Sequence, residues 1–229
     1  ALAIKLANGG YDVLGIGRRL PLLQKTQAHN PAKIQVLQAD VSKASDREKI
    51  VEVVKANKNI YLVHNAAMAE PLSLLKDLSL EDYRQQQAIN IEAPLFLTQK
   101  LLPYLKNGRV LHISSGLAHF VLPGAGPYSI TKAALYMMYL YFREELKEFN
   151  IAVGSVKPGI VDTPMQGVLR KQDKTNFPEV ERFKQFKESK ALRSAEDVAN
   201  FLSWLLFQTK DDEFSAKEWD IGDESHQHQ

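Results

Sequence analysis

Two short stretches of the chain carry the side chains best suited to catalysis. Ser114-Ser115-Gly116 follows an apolar run at residues 110–113, which is typical of a β-strand. A Gly/Pro-rich loop separates it from Tyr128-Ser129-Ile130-Thr131-Lys132, which opens a long helical pattern. Because Tyr128 and Lys132 are four positions apart, a helix places them on one face, one turn apart. A hydroxyl, a phenol and an ammonium group brought together in this way could deliver a proton to a carbonyl that receives a hydride.

Composition and charge exclude several other classes of protein. The chain has 229 residues and a formal net charge of +2, with no basic run that would indicate nucleic-acid binding. It has no cysteine, which excludes disulfides and cysteine-based zinc sites and fits the cytoplasm, where we place the protein. No apolar stretch reaches the length of a membrane span. The six histidines lack ligand spacing, so we expect no metal, and His64, His112 and His119 are predicted to be structural or to line a pocket.

Strand-like and helical segments alternate along the whole chain. This pattern predicts a single α/β domain over residues 1–229, with a doubly wound parallel sheet and helices on both faces. Strands are expected at residues 11–17, 34–38, 60–63, 110–113, 151–156 and 218–221, and helices at 1–7, 20–29, 45–55, 79–105, 128–149 and 194–207. Residues 162–190 are polar and irregular, with few side chains suited to a core, and are predicted to form a mobile substrate lid. The Gln/His-rich tail is expected to be disordered.

The first helical pattern, residues 1–7, ends at Asn8-Gly9-Gly10 and has no strand before it. A dinucleotide-binding fold opens with a strand and a Gly-rich turn, which lead into a helix whose N-terminus meets the pyrophosphate. We therefore expect a first strand and Gly-rich loop, about 20 residues in the usual βαβ unit, upstream of residue 1. That strand would lie at the centre of the sheet.

Five motifs, in this order, resemble the short-chain dehydrogenase/reductase family. They are Asn65-Ala66-Ala67 after a strand, Asn90 in a helix, Ser115, Tyr128-x-x-x-Lys132 and Pro158-Gly159. The stretch 158–163 and the polar segment after it resemble the sepiapterin reductase and benzil reductase branch. The resemblance covers almost the whole chain and implies a Rossmann-like fold, a nicotinamide cofactor and a small-molecule carbonyl substrate.

The resemblance also implies a homodimer or homotetramer that forms through the long helices near Ser79 and Tyr128. Residues 135–142 are apolar almost all round, and the sheet can bury only one face of a helix. A second apolar face therefore predicts a subunit interface.

By the same resemblance, Tyr128 is the general acid. We expect the nearby Lys132 ammonium and the cationic oxidised nicotinamide to lower its pKa from the ordinary value of about 10. Lys132 also binds the nicotinamide ribose, and Ser115 hydrogen-bonds the substrate oxygen. The structural alternative for Tyr128 is a ring that only packs in the core, and that for Lys132 is a solvated lysine on the helix surface. Ser114 is the second choice for the serine role, with loop capping as its own alternative.

Asn90 corresponds to the family asparagine that holds a water molecule in the proton path from Lys132. Its alternative role is hydrogen bonding at a helix kink ahead of Pro94, and the two roles can coexist.

The resemblance assigns further residues to the cofactor. Asn65, Ala66 and Ala67 stand where small residues let the backbone approach the cofactor. The family usually has Asn-Asn-Ala-Gly here, whereas this chain has His64 first and Ala67 last. Close strand packing is the alternative for Ala67. Positions that match the adenine, nicotinamide and phosphate contacts are Asp40, Val41, Pro158, Gly159, Ile160 and Thr163, and Tyr128 and Lys132 also touch the cofactor.

The end of the second expected strand indicates which cofactor is used. NAD enzymes usually carry an acid there for the ribose 2′-hydroxyl, but this chain has Gly17 followed by Arg18 and Arg19. Guanidinium groups pair with a 2′-phosphate, so the sequence predicts NADP. Two solvated turn arginines are the alternative.

These observations lead to two hypotheses. The first is an NADPH-dependent reductase of a ketone or aldehyde on a small organic molecule. The second is a catalytically silent NADP-binding protein that senses the redox state of the cofactor. The complete Asn-Ser-Tyr-Lys set argues for the enzyme, while Ala67 and the missing first strand keep the sensor open.

Overall fold

The computed structural model describes residues 1–223, and the Gln/His-rich tail that we expected to be disordered lies outside them. The strands are β1 (Val13–Gly17), β2 (Ile34–Gln38), β3 (Tyr61–His64), β4 (Arg109–Ile113), β5 (Ala152–Lys157) and β6 (Glu218–Asp220). The α-helices are α1 (Leu2–Asn8), α2 (Leu20–Gln27), α3 (Ala44–Val54), α4 (Leu80–Gln87), α5 (Ala93–Leu105), α6 (Gly126–Glu145), α7 (Pro164–Leu169), α8 (Val180–Glu188), α9 (Ala195–Phe207) and α10 (Asp211–Ala216). No helix among these residues is long and apolar enough to cross a membrane.

The strands are parallel and lie in two sheets, β1-β2 and β3-β4-β5-β6. In the larger sheet the register pairs His64 of β3 with His112 of β4. The carboxyl ends of β3, β4 and β5 therefore lie side by side. The first strand that we expect upstream of residue 1 stays a prediction.

Two apolar cores cover opposite faces of the larger sheet. Neighbouring residues of β4 point to opposite faces, and Val110 and Leu111 accordingly belong to different cores. Val110 packs in the core that contains Tyr139 of α6, and Leu111 in the core that contains Leu205 of α9. The doubly wound α/β fold is thus confirmed.

A π-turn at Ala88–Glu92 interrupts the long helix that we predicted over residues 79–105. The helix starts as expected, because the Ser79 hydroxyl accepts a hydrogen bond of 3.1 Å from the Asp82 amide. Pro94 lies in the first turn of α5, where its missing amide proton costs little. The interruption therefore precedes Pro94, and it places Asn90 in the irregular turn.

The segment at residues 162–190 contributes to a third apolar core, so our expectation that few of its residues suit a core is wrong. This core joins α7 and α8 to the loop ahead of Tyr128 and consists of Leu72, Leu122, Ala125, Leu169, Phe177, Val180 and Phe183. Phe177 is completely buried. The chain passes so close to Gly124, whose φ is +85°, that a Cβ atom there would lie 2.3 Å from the Asn176 carbonyl oxygen. The movement of this lid with ligand stays a prediction.

Candidate active site

Ser115 and Tyr128 meet where β4 ends and α6 begins. Pro127 lies in the first turn of α6 and fixes the backbone ahead of Tyr128. Ser115 has an extended backbone, and its hydroxyl oxygen accepts a hydrogen bond of 3.2 Å from the Leu117 amide. The same hydroxyl lies near enough to the Tyr128 phenol to oppose part of the rise that burial causes in its pKa. The two side chains that we predicted to act together are therefore neighbours.

Lys132 lies one turn further along α6 and is buried, with 3% of its surface exposed. Its Nζ donates a hydrogen bond of 2.7 Å to the Ile113 carbonyl and stands 5.5 Å from the centroid of the Tyr128 ring. Burial lowers the pKa of Lys132 to about 8. The alternative of a solvated helix lysine is therefore wrong.

The groups of the chain raise the pKa of Tyr128, contrary to our expectation for Lys132, and the lowering that we expected from the oxidised nicotinamide stays a prediction. Burial raises the pKa to about 12, and the Ser115 hydroxyl only partly opposes this. Tyr128 as a residue is half-buried, but the surroundings of its phenolic oxygen disfavour the anion. The ammonium of Lys132 faces the ring and is bound to Ile113. The groups of the chain itself thus keep Tyr128 protonated.

Asn90 connects the π-turn to two other elements through its side chain. Its Nδ2 donates to the Met68 carbonyl at 2.8 Å and to the Thr131 hydroxyl at 2.9 Å, and its Oδ1 accepts from the Met68 amide at 2.8 Å. Asn90 lies at the interruption ahead of Pro94, as the structural alternative supposed, but its side chain bonds the loop after β3 and α6 and not the interrupted helix itself. Its role with a water molecule stays a prediction.

Two buried histidines, His64 and His112, lie side by side on β3 and β4. Their ring centroids are 5.2 Å apart, and Nε2 of His64 lies 2.8 Å from the hydroxyl of Thr98. Burial lowers the pKa of both, that of His112 to about 4 with a contribution from the Lys132 charge. Both rings are consequently neutral near pH 7, as befits packed side chains. Within residues 1–223 no group of three or more His, Cys, Asp or Glu could hold a metal ion.

The loop after Ser115 is attached to the last strand by a pair that the sequence did not reveal. Nε2 of His119 lies 2.5 Å from Glu218 of β6, and the other carboxylate oxygen accepts a hydrogen bond of 3.0 Å from Ser155 of β5. His119 also packs edge-on against Tyr136. No motif or spacing links these residues, since His119 and Glu218 are 99 positions apart.

The residues assigned to the cofactor follow the carboxyl ends of four strands. Arg18 and Arg19 follow β1, Asp40 and Val41 follow β2, residues 65–67 follow β3, and residues 158–163 follow β5. Open α/β sheets bind dinucleotides at this edge. The residues that we assigned to the cofactor therefore lie at the edge of the sheet where a dinucleotide can bind.

The local backbone at these strand ends fits such a cofactor. Asn65, Ala66 and Gly159 are exposed, and Gly159 adopts φ +72°, which favours glycine. Ile160 is fixed by a hydrogen bond of 2.9 Å from the Arg193 amide to its carbonyl. Asp40 instead turns its carboxylate to Ser42, accepting from the amide at 3.1 Å and the hydroxyl at 2.7 Å.

Comparisons with known proteins agree with this geometry. A family model described as short chain dehydrogenase matches residues 1–174. Benzil reductase ((S)-benzoin forming) from Bacillus subtilis strain 168 is 28% identical over 218 residues, which cover 90% of this chain and 87% of the relative. The protein of the same name from Bacillus cereus is 31% identical over 167 residues, 69% of this chain and 67% of the relative. A solved short chain dehydrogenase/reductase from Saccharomyces cerevisiae superposes with a TM-score of 0.89 at 23% identity. The match covers 97% of this chain and 90% of the yeast chain.

Proposed function

We propose, on the premise that the chain belongs to the short-chain dehydrogenase family and to its benzil reductase-like branch, that it reduces a ketone or aldehyde of a small molecule with NADPH. Family membership makes it an oxidoreductase with a nicotinamide cofactor. The observation that carries the proposal is the buried Lys132 ammonium 5.5 Å from the centroid of the Tyr128 ring, at the end of the strand that leads into Ser115.

In this mechanism the chain supplies a proton at the substrate oxygen. When bound, the reduced nicotinamide supplies the hydride that enters the carbonyl carbon. Ser115 donates a hydrogen bond to the carbonyl oxygen and orients it, and Tyr128 transfers its phenolic proton to that oxygen. The products are an alcohol and the oxidised cofactor. The raised pKa of Tyr128 suits this direction, because the phenol stays protonated until the oxygen gains charge.

Lys132 is proposed to fix the site and to bind the nicotinamide ribose. Its hydrogen bond to Ile113 holds the ammonium at the end of β4, next to the strand end that carries Ser115. The low dielectric around a buried ammonium strengthens its action on an anion that forms nearby. It therefore stabilises the phenolate that remains after Tyr128 gives up its proton.

NADPH is proposed as the cofactor because of Arg18 and Arg19. Both are exposed directly after β1, at the edge where the adenosine ribose of a dinucleotide lies. Guanidinium groups pair with a phosphate in two-pronged geometry, and Gly17 brings no acid that would repel it. We also propose a cytoplasmic enzyme that assembles as a homodimer or homotetramer through α6.

The alternative is a silent NADP-binding sensor. Consumption of NADPH against a panel of aromatic and aliphatic ketones and aldehydes, with detection of the alcohol product, separates the two. The enzyme is expected to turn over at least one of these classes. Tight binding of NADPH without turnover of any carbonyl would contradict the proposal and favour the sensor.

A further inference from the structure

The turn that begins at Ser115 is built from hydrogen bonds that end at His119. The Ser115 carbonyl accepts a bond of 3.0 Å from the Ala118 amide, and the Gly116 carbonyl accepts one of 2.9 Å from the His119 amide. The Ser115 hydroxyl accepts a bond of 3.2 Å from the Leu117 amide. A shift of His119 is therefore transmitted to Ser115 through a single turn of backbone.

The side chain of His119 is 37% exposed, yet it is held on two sides. Its Nε2 lies 2.5 Å from Oε2 of Glu218, and its ring packs edge-on against Tyr136 with the two centroids 4.7 Å apart. Tyr136 belongs to α6, about two turns beyond Tyr128. The turn that carries Ser115 is therefore tied at its far end to both β6 and the catalytic helix.

The carboxylate of Glu218 is a fixed point in the sheet. Its side chain is 7% exposed, and its second oxygen accepts a hydrogen bond of 3.0 Å from the hydroxyl of Ser155, which is fully buried and pairs with Glu218 in the register of β5 and β6. A carboxylate only accepts hydrogen bonds, so the imidazole of His119 supplies the donor. Loss of that donor leaves a buried carboxylate oxygen unpaired, which costs more than the loss of an exposed ion pair.

The strand β6 does not depend on this pair for its own place. Residues 218–220 lie in parallel register with β5. Trp219 is 3% exposed, and its Nε1 donates a hydrogen bond of 3.0 Å to the Phe214 carbonyl. The pair matters most for the turn, because Phe120 and Val121, which follow it, are 56% and 89% exposed.

We propose that His119 and Glu218 are positioning residues that fix the turn so that the Ser115 hydroxyl meets the substrate oxygen. The inference rests on the proposed function and assigns to it two residues that no motif marks. Ser115 donates to an oxygen whose negative charge grows as the hydride arrives, so its misplacement raises the barrier more than it weakens substrate binding. His119 and Glu218 act through Ser115 alone.

Steady-state kinetics with NADPH provide the first test, on the ketone or aldehyde of the carbonyl panel that the wild type reduces fastest. His119→Phe keeps a ring against Tyr136 but removes the donor, and kcat is expected to fall by about ten-fold while KM stays within about two-fold. His119→Gln carries an N–H at a similar reach and should restore most of kcat. His29→Phe, at an exposed position after α2, is the matched control. A loss confined to KM, or no recovery in His119→Gln, would overturn the inference.

The same comparison tests the carboxylate. Glu218→Leu removes the acceptor and should reproduce the loss in kcat, whereas Glu218→Gln retains an acceptor oxygen and should restore most of it. Wild-type kcat in Glu218→Leu would show that His119 needs no partner and would overturn the pair.

A double-variant cycle separates positioning from a general effect on the fold. If His119 acts through Ser115, then His119→Phe should cost less than about two-fold in a Ser115→Ala background, because the group that it positions is already gone. The same fold-loss in both backgrounds would show an effect independent of Ser115 and would overturn the proposal.

Amide hydrogen exchange distinguishes failure of this inference from failure of the proposed function, because it needs no turnover. The amides of Leu117 and Ala118 should exchange at least about five-fold faster in His119→Phe than in the wild type and in His119→Gln, while that of Leu111 in β4 stays unchanged. This result supports the positioning pair even if the chain reduces no carbonyl. Turnover by the wild type combined with unchanged exchange and unchanged kcat in His119→Phe overturns the pair and leaves the proposed function standing.

Discussion

The side-chain amide of Asn90 lies 2.9 Å from the hydroxyl of Thr131, so the π-turn is bonded to the catalytic helix within one turn of Tyr128. Thr131 in turn donates a hydrogen bond of 2.7 Å to the Tyr128 carbonyl. The amide also binds both backbone groups of Met68. One buried side chain therefore joins the loop after β3, the π-turn and the start of α6.

Asn90→Ala should destabilise the whole domain. It leaves the amide and carbonyl of Met68 and the hydroxyl of Thr131 without their partner, and buried groups of this kind cost about 1–3 kcal/mol each. Because some regain partners by relaxation, we expect a loss of about 2–4 kcal/mol in unfolding free energy, measured by urea denaturation. Asn57→Ala, at an exposed position, is the control and should change little. A similar loss in both variants would contradict the connecting role of Asn90.

Tyr128→Phe should abolish most of the activity without loss of fold or of cofactor binding. The variant lacks only the hydroxyl, and a positioned acid usually contributes about 10²–10⁴ in rate. Lys132→Met should also lose rate, with weaker cofactor binding, and the double variant should be little worse than the worse single one. Initial rates and cofactor titrations measure these effects. Tyr141→Phe is the control, and a Tyr128→Phe variant that kept most of the wild-type rate would refute the mechanism.

Lys132→Met should, in contrast, be more stable than the wild type. Burial lowers the Lys132 pKa from 10.5 to about 8, so keeping the ammonium buried costs the wild type about 3 kcal/mol of stability at pH 7. The variant is free of this cost, but it loses the hydrogen bond to Ile113, which contributes about 1 kcal/mol. We therefore expect a gain of about 2 kcal/mol at pH 7.

The sign of the pH dependence follows from the lysine. Between pH 8 and 10.5 the unfolded chain holds the proton that the folded chain has lost, so wild-type stability rises with pH relative to the variant. Urea unfolding should show that the stability advantage of Lys132→Met over the wild type is smaller at pH 10 than at pH 7. Lys25→Met, at an exposed position, is the control. A Lys132→Met variant less stable than the wild type at pH 7 would rule out the cost of the buried charge.

Gly17→Asp combined with Arg18→Ala should shift the cofactor preference from NADPH towards NADH. The new carboxylate can accept a bond from a ribose 2′-hydroxyl and would repel a 2′-phosphate. The site can hold the larger side chain, because a Cβ atom at Gly17 meets only Leu23, at an ordinary 3.5 Å. The ratio of kcat/KM for the two cofactors is the measurement. An unchanged ratio would show that residues other than Arg18 set the preference.

The exposed face of α6 should form a subunit interface. Leu135 and Tyr139 are buried against the sheet, whereas Met137 and Tyr141 on the other face are 51% and 62% exposed. Light scattering at micromolar concentration should give a mass of at least two chains for the wild type. Tyr141→Glu should lower that mass towards the monomer, whereas Leu22→Glu on α2 should not. A monomeric wild type would contradict the interface.

The chemistry of the site was predictable where it depends on short spacing. A strand before Ser115 and a helix through Tyr128 and Lys132 suffice to bring the three side chains together, and local pattern specifies both elements. The pKa of Tyr128 was not predictable, because it depends on how deeply the phenol is buried and on which atom the Lys132 ammonium faces.

Contacts between distant parts of the chain could not be predicted from the sequence either. The sequence around Phe177 is polar, so the burial of this lid residue follows only from its packing against the loop ahead of Tyr128. The same holds for α10, which lies in a short polar stretch that we left without a helix. The hydrophobic periodicity of a helix or strand predicts which of its faces is buried. It does not predict which residues, a hundred positions away, pack against that face.

The close passage of the lid over Gly124 limits how such a protein can change through evolution. Gly124 needs its left-handed backbone and has the Asn176 carbonyl in the place of any Cβ atom, so no other residue can replace it while the lid keeps its path. The exposed residues of α7 and α8 carry no such restriction. Lineages that diverge from this chain can therefore vary the outer surface of the lid, and they must retain the glycine for as long as they retain the attachment of Phe177.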